Sequence, residues 1–245
     1  MFDIEASFEV GSARQITVDI GGNVAIYDVA KSTWNGAVSK PVDGKISLRV
    51  LLDCAQISGV VVALHALDTR ASALALVQDP RVQTVIGAAQ RSGSVLAGLQ
   101  QLQSVADPRD WVLVHDAARP CLQAQDLQRL IATVTASGTG GILAEAIVDT
   151  VKEASPDAKV LRTLDRAVLW RAQTPQMFRL AELSRALTQA QQHGVAVTDE
   201  AGAMELAGYP VQLIAASPGN LKVTVAADLP LAAWYLQARV GRAPA

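Results

Sequence analysis

The stretch Trp111-Val112-Leu113-Val114-His115-Asp116-Ala117-Ala118-Arg119-Pro120 constrains the fold more than any other part of the chain. Its short apolar run, bounded by polar residues, reads as a buried β-strand. The run stops at an acid, followed by two small residues, an arginine and a proline. Pro120 lacks the N–H that a ladder needs, so the strand ends there. A carboxylate is thereby delivered to the C-terminal end of a buried strand, where open parallel sheets bind ligands. Ala117 and Ala118 leave room for a group to approach the backbone. By spacing alone, Asp116 serves equally well as a cap for the following loop.

The neighbouring segments supply the rest of a sheet. Residues 59–65, with Val60-Val61-Val62, form a continuous apolar run typical of a strand buried on both faces. His65 reads as the polar residue leaving that strand. Residues 81–86, 142–147 and 220–224 read as further strands. Residues 15–20 alternate and end in Gly21-Gly22, with 24–27 as a hairpin partner. Helices fit residues 46–57, 69–78, 126–136 and 228–238. A helix with Val95, Leu96, Leu99 and Leu102 inward follows the polar loop 87–94, and Ser92 or Ser94 reads as its N-cap. Thr174-Pro175-Gln176 reads as a turn into a helix carrying Leu180, Leu183 and Leu187. Thr198-Asp199-Glu200 opens another, with Thr198 as its cap.

Alternating strands and helices imply an α/β fold with a doubly wound, mostly parallel sheet. One domain over residues 1–245 is expected, interrupted at about 148–163 by two strands around the turn Ser155-Pro156-Asp157. An isolated hairpin is marginal in water, so something should cover this arm.

Composition narrows the function. The net charge is -2, only 4% of residues are aromatic, and the basic residues are scattered. No nucleic-acid partner is expected from such a surface. Cys54 and Cys121 form neither a metal-ligand spacing nor a disulfide framework. No apolar run reaches the ~20 residues that span a bilayer. The acidic start Met1-Phe2-Asp3-Ile4-Glu5 does not read as a signal peptide. A cytoplasmic protein with no membrane partner is the expectation.

Four motifs in register carry a resemblance. They are His115-Asp116-Ala117-Ala118-Arg119-Pro120, Leu169-Trp170-Arg171-Ala172-Gln173-Thr174-Pro175-Gln176, Thr198-Asp199-Glu200 and Asn220-Leu221-Lys222-Val223-Thr224. From about Pro41 to about Leu236 the chain closely resembles the 2-C-methyl-D-erythritol 4-phosphate cytidylyltransferase family. The resemblance implies a Rossmann-like nucleotidyltransferase that joins CTP to methylerythritol phosphate and releases pyrophosphate, in the non-mevalonate route to isoprenoids. Nucleotide contacts then fall on Ala88, Arg91, Ser94, Asp116, Ala117 and Lys222. Substrate contacts fall on Thr150, Arg166, Thr174 and Thr198. Lys222, Asp116 and Arg166 are the implied catalytic residues, with magnesium as cofactor and Asp116 either holding it or orienting substrate hydroxyls. The arm is implied to reach a second subunit, making a homodimer in which Thr150 and Arg166 serve the partner's site.

The first forty residues depart from the family pattern. The family's Gly-rich turn is echoed only by Gly11-Ser12-Ala13-Arg14, which lacks the second glycine, and Arg14 is its one cation. The family's lysine position falls on Ala37; Lys31 and Lys40 nearby read as solvated surface residues. Two alternatives follow from this gap: a related enzyme using ribitol 5-phosphate, or a catalytically impaired nucleotide-binding relative.

Overall fold

A computed structural model describes residues 13–19, 24–28, 45–68, 71, 75–225 and 227–240. Eight of its ten strands form one sheet. They are β1 (Ala13–Asp19), β2 (Val24–Asp28), β3 (Gly59–Leu64), β4 (Val82–Ile86), β5 (Trp111–Asp116), β6 (Gly141–Ala146), β9 (Trp170–Arg179) and β10 (Gln212–Ala215). The order across the sheet is β10-β6-β9-β5-β2-β1-β3-β4. Parallel pairing joins β3 to β4, β2 to β5 and β6 to β10, while β1 and β9 run against their neighbours. Six strands therefore point one way and two the other, and of the seven neighbouring pairs three are parallel and four antiparallel, a mixed sheet built on a parallel majority of strands. β1 and β2 pair antiparallel, as expected, and β2 lies alongside β5.

Helices cover both faces. The helices α1 (Lys45–Leu52) and α3 (Ala124–Ser137) bury Leu48, Leu51, Leu127, Leu130 and Ile131 against Val60, Val62, Leu113 and Met177. On the other face, α2 (Arg91–Gln103), α4 (Leu180–Gln192) and α5 (Glu200–Leu206) bury Val95, Leu99, Leu183 and Met204 against Val61, Val112, Val114 and Phe178. Leu113 faces one layer while Val112 and Val114 face the other, the period-2 alternation of a strand. A continuous apolar run is thus what β5 needs, and all six of its residues are buried. A third cluster forms where α6 (Asp228–Val240) packs Leu229, Ala232 and Leu236 on Cys121 and Val223.

Helix α3 ends at Gly138, whose φ of 69° is a left-handed value that suits glycine. Two residues on, a Cβ at Gly140 would lie 2.3 Å from Phe178 Cδ1, so only glycine lets the chain enter β6 there.

Several local expectations are corrected. Of the helix expected over 69–78, the described residues show 3₁₀ structure at Ala71 and at Ala75–Gln78, and the others lie outside the described residues. Neither Ser92 nor Ser94 caps α2; Gln90 holds that position without a side-chain bond. Thr174-Pro175-Gln176 is not a turn but lies inside β9, where the β6–β9 register shifts between Ile142 and Ala144. Proline is tolerated at such an irregularity because no ladder bond is asked of it. Asp199, not Thr198, caps α5 by accepting the Gly202 N–H at 2.9 Å. The last strand is β10, and residues 220–224 run outside the sheet ladder.

The arm has the expected form. Strands β7 (Lys152–Ala154) and β8 (Val160–Thr163) make a separate two-stranded antiparallel sheet.

Candidate active site

The site is built at the C-terminal end of β5. Asp116 closes the strand, and its backbone N–H donates to Thr174 Oγ1 at 2.9 Å, which fixes the tip of β5 to β9. The same threonine oxygen lies 2.9 Å from His115 Nδ1. Ala117 turns its side chain into the core, so only its backbone can serve a ligand. The small residues after Asp116 admit a neighbouring segment of the chain itself: Val223 N–H donates to Ala118 O at 2.7 Å.

That segment carries Lys222. It is anchored by Asn220, whose buried Nδ2 donates to Gln173 Oε1 at 2.9 Å and Thr174 O at 2.8 Å. Arg119 adds a bond from Nη1 to Asn220 O at 2.8 Å. With Asn220 and Val223 held, Lys222 Nζ comes to 2.8 Å from Asp116 Oδ2. The expected meeting of these two residues occurs, though Lys222 sits on an extended segment and not on a strand.

Arg91, Asp116, Thr174, Thr198 and Lys222 line one cavity of about 180 Å³, together with Arg119, Ala172, Gln173, Gln176 and Asp199. Three cationic side chains face two acidic ones there, a setting suited to anionic ligands. Asp116 is buried, which by itself pushes its carboxyl up; the charges of Arg91, Lys222 and Arg119 prevail and hold it well below the usual carboxylate range. Arg91 Nη2 lies 3.2 Å from Asp116 Oδ1, and Arg119 Nε lies 3.9 Å from Oδ2. Behind the cavity wall, burial pushes the Glu200 carboxyl up, with Arg91 opposing. Burial also lowers His115 to about 3, so its imidazole stays neutral beside the site.

Other expected site residues stand apart. Ser94 Oγ accepts the Ala88 N–H at 2.9 Å and lies 3.2 Å from Ala88 O, which braces the loop between β4 and α2. Neither residue lines the cavity. Thr150 and Arg166 are exposed at the base of the arm, and Arg166 Nη1 donates to Val148 O at 2.5 Å. They do not reach the cavity of their own chain. The side chain of Arg14, and all of Lys31 and Lys40, lie outside the described residues.

Arg119 and Glu200 were not singled out by sequence reasoning. Arg119 had a signal: a proline after a short turn sends the chain back past Asp116, and Arg119 N–H indeed donates to Asp116 O at 2.9 Å. Glu200 had none, because an acid in a first helical turn is already explained by the helix dipole.

Magnesium takes oxygen ligands, keeps several waters, and is commonly held by one or two carboxylates plus phosphates. Asp116 offers one carboxylate to the cavity, and no group of three or more metal-ligating side chains occurs among the described residues. This donor set fits an ion held jointly with substrate phosphates.

A family model described as 2-C-methyl-D-erythritol 4-phosphate cytidylyltransferase matches residues 36–238. The chain is 48% identical over 190 residues to the enzyme of that name from Yersinia pseudotuberculosis serotype I (strain IP32953), covering 77% of each protein. The match to the Yersinia pestis (strain Pestoides F) protein has the same identity and coverage. Among solved structures, a 4-diphosphocytidyl-2C-methyl-D-erythritol synthase superposes with a TM-score of 0.71 at 33% identity, over 82% of this chain and 92% of that one. The Francisella tularensis 2-C-methyl-D-erythritol 4-phosphate cytidylyltransferase gives 0.70 at 30% identity, over 80% and 89%.

Proposed function

The chain belongs to the 2-C-methyl-D-erythritol 4-phosphate cytidylyltransferase family, and we propose that the Asp116–Lys222 cavity is where CTP and that sugar-alcohol phosphate are joined. The protein is a nucleotidyltransferase of the non-mevalonate isoprenoid pathway. A phosphate oxygen of methylerythritol phosphate attacks the α-phosphorus of CTP and forms the new P–O bond. The bond from the α-phosphorus to the bridging oxygen breaks, and pyrophosphate leaves with the electron pair. The attacking oxygen is already anionic, so no protein nucleophile is needed. Catalysis then rests on bringing two polyanions together and neutralising them.

The observation that carries this reading is the 2.8 Å pairing of Lys222 with Asp116 inside the cavity. A cation held in place by a neighbouring carboxylate needs no reorganisation to meet a phosphate. Lys222 takes the substrate phosphates, with Arg119 and Arg91 adding positive charge around them. Thr174 and Thr198 offer hydroxyls to the polyol phosphate. Asp116 would hold magnesium, which when bound supplies further neutralisation of the triphosphate. Ala88, Ser94 and Ala117 contact the nucleotide through the loop after β4 and the backbone after β5. Arg14, at the start of β1, supplies a cation for the triphosphate.

The arm completes the assembly. Its exposed position and the placement of Thr150 and Arg166 away from their own cavity support a homodimer in which each arm serves the partner's substrate. The whole chain acts as a single domain in the cytoplasm; no described helix is long and apolar enough to cross a membrane. The names of the relatives favour methylerythritol phosphate over ribitol 5-phosphate, and an active enzyme over an impaired relative. A pyrophosphate-release assay with CTP and each polyol phosphate in turn tests the reading. Turnover with methylerythritol phosphate alone is expected; turnover only with ribitol 5-phosphate would reject it.

A further inference from the structure

We propose that Glu200 is a positioning residue for the transfer, acting through Arg91 to keep one oxygen of Asp116 turned to the cavity. This rests on Asp116 taking part in that reaction. Three segments meet here at their ends: Arg91 opens α2, Glu200 opens α5, and Asp116 closes β5. Glu200 is fully buried, and both its oxygens go to one guanidinium. Arg91 Nη1 lies 2.5 Å from Oε1, and Nη2 lies 2.8 Å from Oε2. The same guanidinium meets Asp116 only at longer range, with Nη2 at 3.2 Å and Nε at 3.3 Å, both on Oδ1.

The distances rank the two carboxylates. Arg91 is gripped by Glu200 and only leans on Asp116. Asp116 therefore spends Oδ1 on Arg91 and keeps Oδ2 for Lys222. An arginine fork left to itself takes a carboxylate with two parallel bonds, one to each oxygen. Without the pull of Glu200, the balance at Arg91 shifts toward Asp116, and a closer grip of that kind draws Oδ2 out of the cavity. Stability alone does not account for such a residue. A buried ion pair is commonly matched or bettered by apolar side chains of similar volume. A carboxylate that sets the aim of a guanidinium has no apolar substitute.

The test is steady-state kinetics and thermal melting of the full chain and of Glu200→Gln, Arg91→Gln and the double variant. Glu200→Gln is expected to lower kcat about 10–100-fold, the scale found for residues that orient a ligand from behind. KM for CTP should stay within about threefold, since an interaction realised in the transition state is what is lost. The double variant should be no slower than Arg91→Gln alone, because Glu200 then has nothing to hold. A kcat within about twofold of the intact chain in Glu200→Gln, even with a lowered Tm, would overturn the proposal. So would losses that multiply in the double variant. Should Glu200→Gln not fold, Glu200→Asp replaces it, with the charge kept and the reach shortened by one methylene. It should lose kcat at nearly unchanged Tm, and an unchanged kcat would count against the role. An intact chain that does not turn over CTP and methylerythritol phosphate fails the functional reading, seen before any variant is compared, and the proposal falls with it.

Discussion

The cavity and the arm use charged residues in opposite ways. Around Asp116, one buried carboxylate is shared by Arg91, Arg119 and Lys222, and each partner is held by further bonds to β9, α5 or the segment 220–224. On the arm, Arg162 pairs with Glu153 and Lys159 with Asp157 in open solvent, while Val160 and Leu161 stay 63% and 62% exposed. Around Asp116 the charged groups thus pair with one another within a single chain. The arm leaves apolar side chains uncovered on a two-stranded sheet, which is marginal in isolation. The first arrangement supports the proposed ligand site, and the second the proposed contact with a partner subunit.

The largest effect should come from the centre of the cavity. Asp116→Ala leaves three cations without their shared carboxylate, and removing one partner of a buried pair typically costs about 3–5 kcal/mol. Chemical denaturation should show a loss of that size; a loss near zero would mean the network is solvated and not buried. Removal of residues 152–163 should leave the monomer folded but abolish the dimer, read by sedimentation at low concentration. A dimer that persists would place the interface elsewhere.

His115 gives a pH-dependent contrast of moderate size. Its folded value of about 3 lies below the ordinary histidine range near 6.5. Between those values the unfolded chain binds a proton that the folded chain refuses, so stability falls as pH drops from about 6.5 toward 3, by about 1.4 kcal/mol per pH unit at most. Above about 6.5 the term is constant. The raised carboxyl of Glu200 acts in the opposite sense, stabilising as it protonates, but it is common to the intact chain and to His115→Gln and cancels in their difference. Melting curves of the two should therefore converge as pH falls from about 6.5 to 5, and parallel curves would contradict a buried neutral imidazole. The smallest effect belongs to the arm: Glu153→Ala removes an exposed ion pair and should change stability by no more than about 1 kcal/mol.

Much of this contrast was legible in the residues. The run 111–116 announces a buried strand because both faces of β5 need apolar contacts. The turn Ser155-Pro156-Asp157 announces the arm. The segment 220–224 was misread as a strand for a physical reason. Alternation of Leu221 and Val223 with Lys222 and Thr224 reports an extended chain with one buried side, which Val223 satisfies by packing on α6. Alternation does not report whether a ladder forms, and here Asn220 and the single Val223–Ala118 bond do the anchoring. Thr174-Pro175-Gln176 was misread because proline normally ends strands, and only the register shift against β6 makes room for it. Long-range pairings such as Arg91 with Glu200, 109 residues apart, leave no local pattern at all.

The most direct measurement is pyrophosphate release by the intact chain and by Lys222→Ala, side by side, with CTP and methylerythritol phosphate each varied. Turnover that needs both substrates, and a loss of about 10²–10³-fold in the variant at unchanged Tm, is expected if a cation held ready in the cavity neutralises the reacting phosphates. Equal rates for the two proteins would contradict it.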